Sequence, residues 1–204
     1  MSAASVSSGR TGRPPVTTSS ELAEIGLELF TARGFEETTV DDIAVAAGIS
    51  RRTFFRYFPS KNDLVWGDFE AHLGSLRQRL ADGDGVPMME ALSRAVRAVS
   101  VAESQAFARQ RERIGLILGV PALQAHSALR YRDWRQVIAV FVAGRLGAGV
   151  EEFLPRLIGS TALAASMTAH EFWLRDDDAD LGGLLEVAFT DLAGAFAHHE
   201  PGSH

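Results

Sequence analysis

Along most of this chain apolar residues recur every three or four positions rather than in alternation, and that period predicts helices throughout. Val40, Ile43, Ala44 and Ala47 define one face of a short helix. Phe54 and Phe58 lie four apart in the next, and Met88, Leu92, Ala95, Val96 and Val99 line a longer one. Further on, Tyr131, Trp134, Ile138, Phe141 and Val142 share a side, and Leu185, Ala188, Phe189, Leu192, Ala193 and Phe196 form a late stripe. The expected architecture is all-α, with about nine helices and little β signal.

Start and stop residues set the expected limits of these helices. A first helix over 19–33 is capped by Ser19 or Ser20 and closed by Gly34. Thr39 caps a helix from Val40 to about Ala47, with Asp41 and Asp42 in its first turn, where the helix dipole favours anions. Gly48 supplies a positive φ, Ile49 plugs the corner, and Ser50 caps a helix starting Arg51-Arg52-Thr53. Two short helices joined by a tight glycine-containing turn match the helix-turn-helix pattern. Pro59-Ser60 starts a helix expected to run to about Asp82, and Pro87 suits the first turn of the next. Further helices are expected over 104–118, 121–146, 151–175 and 180–198. The glycine-rich ADGDG at 81–85 marks the expected domain boundary, giving an N-terminal arm (1–18), a helix-turn-helix domain with its connecting helix (19–82) and a helical domain (83–204).

Charge picks out one segment. Arg51, Arg52, Arg56 and Lys61 lie within 51–61 with no acidic residue, on a chain of net charge -6. Local positive charge on an acidic chain suits a polyanionic partner, although an ordinary solvated helix face is the plainer alternative. Residues 1–66 as a whole hold seven cations against eight acids, so the charge is concentrated rather than abundant. Lys61 is the only lysine; the other 19 cations are arginine, a bias that suggests a GC-rich genome.

The run from Thr38 to Leu64, TTVDDIAVAAGISRRTFFRYFPSKNDL, resembles the signature of TetR-family transcriptional regulators, and Leu22–Phe35 is similar to that family's first helix. Within the family, Arg51–Phe69 resembles the branch encoded with mycofactocin biosynthesis genes in actinobacteria. The resemblance implies that Ser50, Arg51, Arg52 and Thr53 reach base edges from the start of the recognition helix. It implies phosphate contacts for Thr39, Tyr57 and Lys61. Phe55 departs from the tyrosine usual in the family, so it either packs on thymine methyls or sugar or belongs to the core.

For the helical domain the resemblance implies a homodimer built from the last two helices, with Ala162, Ser166, Ala169, Leu185, Phe189, Leu192 and Phe196 at the interface; the plainer alternative is that these residues are core within one chain. Two recognition helices would then read a palindromic double-stranded DNA operator. It also implies a small-molecule effector. The candidate pocket takes Tyr131, Trp134, Ile138 and Phe141 from one helix, Phe107, Arg109, Ile114 and Leu118 from the preceding one, and Phe172 with Trp173. If the heads of Arg109, Arg113, Arg132 and Arg135 gather at its mouth, an apolar tail with an anionic head fits, such as an acyl-CoA. Each of the apolar and aromatic residues reads more readily as plain core than as pocket.

Other classes find little support. His170-Glu171 does not extend to HExxH because position 174 is Leu, and Asp176, Asp177, Asp178 and Asp180 lack the glycine and distal Glu of an EF-hand loop. No catalytic, metal or cofactor site is expected. Cysteine is absent, no secretory signal precedes the first helix, and no apolar run reaches 18 residues, which together suit a cytoplasmic protein away from membranes. Residues 1–18, rich in Ser, Gly, Pro and Thr, read as a flexible arm whose Arg10 and Arg13 could enter a minor groove. The expected function is a ligand-responsive DNA-binding repressor. The competing expectation is a helical binding module that keeps this fold without sequence-specific DNA binding.

Overall fold

In this computed structural model, residues 18–106 and 109–199 are described. Residues 1–17 of the expected arm, with Arg10 and Arg13, and Phe107 lie outside them. The described residues form α1 (Ser19–Arg33), α2 (Val40–Ala46), α3 (Arg51–Tyr57), α4 (Lys61–Trp66), α5 (Phe69–Ala81), α6 (Met88–Ala106), α7 (Gln110–Gly119), α8 (Pro121–Leu146), α9 (Phe153–Arg175) and α10 (Leu181–Phe196), with a 3-10 turn at Ala197–His199. Among them there is no strand.

The chain divides into two compact units, the first ending at Gly67 and the second beginning at Asp68. This corrects the expected boundary near 82–86 and the single helix expected from Ser60 to about Asp82. Gly67 takes φ 57° and ψ -137°, a conformation open to glycine, and ends α4. Asp68 then starts a new helix, its side chain accepting the backbone N–H of Ala71 at 3.0 Å. α5 packs against α6 and α8, with Leu73, Leu76 and Leu80 buried, and so belongs to the second unit. That break also accounts for ten helices where about nine were expected.

In the first unit α1 packs on α2 and α4 around Leu22, Phe30, Ile43, Phe54 and Leu64. Thr18, rather than Ser19 or Ser20, caps α1: its hydroxyl accepts from the Glu21 N–H, while the Glu21 carboxylate accepts from the Thr18 N–H. In the second unit α8 packs on α9, and α10 packs on both α6 and α9. Leu92, Ile138, Val142, Ile158, Ala162, Leu185 and Phe189 are shut off from solvent there. A Cβ on Gly159 would lie 2.9 Å from the Arg135 carbonyl oxygen, so this glycine lets α8 and α9 approach closely.

Candidate nucleic-acid interface

The α2–α3 corner is built by its caps. Thr39 accepts the Asp42 N–H at 3.2 Å, and the Asp42 carboxylate accepts the Thr39 N–H at 2.8 Å as well as its hydroxyl. The chain then turns through Gly48 at φ 68°, and Ile49 donates its N–H to the Ala44 carbonyl at 2.9 Å. Ser50 caps α3 by accepting the Thr53 N–H at 3.1 Å, with the two hydroxyls 2.9 Å apart.

Burial sorts the side chains of α3. Phe54 is wholly buried and Phe58, just past the helix, is buried too, so both face the core as their spacing predicts. Arg51, Arg52 and Arg56 are exposed, while Thr53 and Tyr57 are half-buried. Phe55 is 43% exposed, with its ring edge-on to Phe54 at 5.4 Å, so it is a surface residue leaning on the core. The Arg56 guanidinium lies 5.3 Å from the Tyr57 ring centre and that of Arg51 lies 5.3 Å from Phe55. Arg51 also donates from Nη1 to Oδ2 of Asp41 at 2.9 Å. The sequence reading placed Asp41 at the helix N-terminus and missed this link across the turn, because only the folded corner brings positions 41 and 51 together.

Lys61, expected to hold a phosphate, is engaged within the chain. Its ammonium donates to the carbonyls of Phe35 (2.9 Å), Thr38 (3.2 Å) and Glu36 (3.4 Å) and sits 4.4 Å from the Phe35 ring centre. An ammonium has three N–H donors, and all three are directed into the α1–α2 corner.

The residues expected at an interface on α9 and α10 are largely buried within one chain. Ala162, Leu185 and Phe189 are wholly buried, Ser166, Ala169 and Phe196 nearly so, and Leu192 is half-buried, all within one chain. Both helices are apolar on two sides: α8 packs on α9 and α6 on α10, covering the side that carries most of these residues, whereas Ala169 also lines the opposite side. The other side leaves an open apolar groove of about 580 Å³ between α9 and α10, lined by Ala165, Thr168, Phe172, Leu184, Val187 and Ala188 among others. Phe172 is 52% exposed and Val187 65%. Phe172 therefore belongs to this groove and not to the expected effector pocket.

Within the expected pocket, Trp134 and Ile138 are buried on α8, and Tyr131, Phe141, Ile114 and Leu118 are half-buried. Burial pushes the Tyr131 hydroxyl above its ordinary pKa, with Glu171 adding to the rise and a hydrogen bond with Ser127 opposing it. Three of the four expected mouth arginines have defined surroundings. Arg109 pairs with Glu112 at 3.2 Å, Arg132 pairs with Asp133 at 3.0 Å, and Arg113 is buried. Trp173 is part of a joint between helices: Arg111 of α7 donates to the carbonyls of Trp173 and Asp176 and lies over the Trp173 ring at 5.0 Å. No group of three His, Cys, Asp or Glu among the described residues is arranged to hold a metal ion, and no described helix is long and apolar enough to cross a membrane.

A capped, two-helix corner presenting an arginine-bearing α3 defines a helix-turn-helix DNA-binding protein. Residues 22–65 match the family profile described as bacterial regulatory proteins, tetR family, and residues 86–197 match the MftR C-terminal domain. The chain is 43% identical over 187 residues to a Mycobacterium tuberculosis protein assigned as the mycofactocin biosynthesis transcriptional regulator MftR, covering 91% of this chain and 94% of that one. It is 33% identical to the regulator TcmR of Streptomyces glaucescens over 84% of this chain and 79% of that one. In fold it is similar to the Thermus thermophilus repressor FadR solved with lauroyl-CoA (TM-score 0.56, 23% identity, 85% of this chain and 92% of that one). The fatty acid degradation regulator FadR of Bacillus halodurans is similar at TM-score 0.64 and 16% identity, covering 89% of this chain and 97% of that one. The chain belongs to the TetR family of transcriptional regulators, with an MftR-type C-terminal domain. It is a regulator, not an enzyme.

Proposed function

We propose that the protein is a cytoplasmic homodimeric repressor that reads a palindromic operator with α3 and is released by a small apolar or acyl-type effector held in its second unit. The observation that carries the DNA reading is the division of α3, which buries Phe54 and turns Arg51, Arg52 and Arg56 to solvent on a chain of net charge -6. Ser50, Thr53, Phe55 and Tyr57 complete this candidate contact surface. Thr39 stands beside it with its hydroxyl engaged in the α2 cap. Exposed Phe172 and Val187 beside the α9–α10 groove support pairing of two copies there, since large exposed apolar patches favour association. Half-sites roughly 34–36 Å apart would match such a pair.

The effector reading is supported by the apolar α8 face around Trp134 and Ile138, and by Gln110 on α7. Gln110 is buried, and its Oε1 accepts no hydrogen bond from the described residues. An orphaned buried acceptor suits a ligand that brings a donor. The Thermus relative's lauroyl-CoA supports an acyl chain as the first class to try. A salt-titrated gel shift on DNA upstream of the neighbouring genes is the primary test: affinity for one site should fall steeply as salt rises. Equal affinity for every duplex would overturn the proposal. Acyl-CoAs of several chain lengths should raise the melting temperature and weaken operator binding, and neither effect would appear if the effector class is wrong.

A further inference from the structure

The two aspartates that open α2 have different tasks. Asp42 is committed to its own helix, accepting from the Thr39 N–H and hydroxyl. Asp41 instead reaches across the turn, its Oδ2 2.9 Å from Nη1 of Arg51. The same guanidinium lies 5.3 Å from the centre of the Phe55 ring, within cation–π range. The Phe55 ring is in turn held edge-on against buried Phe54 at 5.4 Å and 87°. Arg51 thus has a carboxylate at one edge and an aromatic ring at its face, and the ring is anchored in the core.

We propose that Asp41 and Phe55 are positioning residues that fix Arg51 before DNA arrives, so that its remaining N–H groups address one base edge. This rests on reading α3 as the recognition helix. Five N–H donors fan out from a guanidinium, and committing one edge to Asp41 leaves others for a guanine O6 and N7 pair. Stability is a poor reason for the link, because the Arg51 and Asp41 side chains are 58% and 64% exposed and ion pairs this wet add little. A carboxylate on a surface that meets phosphates also repels every duplex alike, lowering non-specific binding. What it supplies is preorganisation, since a long arginine otherwise loses rotamer freedom on binding. The arrangement also gives phenylalanine a use at position 55, where a platform beneath a cation needs no hydroxyl.

The test is selection of binding sites from a randomised duplex library by the full chain, followed by salt-titrated binding to the selected and a scrambled duplex. Wild type, Asp41→Asn, Asp41→Glu, Arg51→Ala and Phe55→Leu are compared, with thermal unfolding as the check on folding. In Asp41→Asn, affinity for the scrambled duplex should rise, while preference at one base position falls on the order of tenfold. Arg51→Ala should lose preference at that same position, and adding Asp41→Asn to it should cost nothing more there. Phe55→Leu should relax the same position without strengthening scrambled binding, and Asp41→Glu should recover part of the preference. If Asp41→Asn changes both duplexes by one common factor, Asp41 acts only as a charge and the proposal falls. If wild type selects no motif, the recognition-helix reading itself fails; a motif indifferent to Asp41 and Phe55 sinks this inference alone.

Discussion

A methyl group on Gly159 of α9 would sit 2.9 Å from the carbonyl oxygen of Arg135 on α8. Backbone cannot yield as a flexible side chain can, so the two helices would have to part. In an open helix Gly→Ala stabilises by roughly 0.5–1 kcal/mol. Here the sign should reverse: Gly159→Ala is expected to destabilise by about 1–3 kcal/mol through overpacking. Urea unfolding followed by circular dichroism reads the difference.

Lys61 holds the corner after α1 through the carbonyls of Phe35, Glu36 and Thr38. Lys61→Ala should therefore destabilise the first unit by about 1–3 kcal/mol, as losing charged hydrogen bonds does. Amide exchange should quicken along 34–39. A phosphate-contacting lysine would instead reduce the salt slope of DNA binding by about one when removed. The slope is expected to hold.

The two sides of α9 and α10 should respond differently to substitution. Phe189 is wholly buried, so Phe189→Ala is expected to lower stability by about 3–5 kcal/mol. Val187→Asp, on the exposed side, should leave the melting temperature of the monomer nearly unchanged and shift the protein from dimer to monomer. Light scattering after size-exclusion chromatography distinguishes the outcomes.

These helices also mark where the sequence stops being informative. The α2–α3 corner was legible because its signals are local: Thr39 and Ser50 cap, Gly48 turns, and Phe54 and Phe58 bury, all within a few residues of one another. On α9, small residues at 159, 162, 166 and 169 mark a close contact without naming the partner helix, which proved to be α8 of the same chain for Gly159. The break at Gly67 was hidden because Leu64, Val65, Phe69, Leu73, Leu76 and Leu80 continue an apolar rhythm across it. The partners of Lys61 and the cross-turn partner of Asp41 could not be read, since they lie 10 to 26 positions away.

Acid should weaken the α2 cap. The Asp42 carboxyl is held below its ordinary range by the Thr39 hydroxyl first and the Thr39 N–H second, with Arg33 assisting and burial opposing. The folded state thus binds this proton less tightly than the unfolded chain. The cap's contribution is complete above roughly pH 4, the ordinary carboxylate range, and is lost as pH falls through the lowered folded value. Asp42→Asn should lower stability at neutral pH and flatten the acid limb of a stability–pH curve measured by urea unfolding.

One consequence of the corner clasp concerns reactivity. Lys61 carries the sole side-chain amine among the 204 residues, and that amine is occupied in the native corner. An acylating reagent therefore meets a protected nucleophile while α1 and α2 are docked and a free one whenever they part. Modification at this single position becomes a clock for the opening of the first unit, readable by mass spectrometry as one acyl group gained on Lys61.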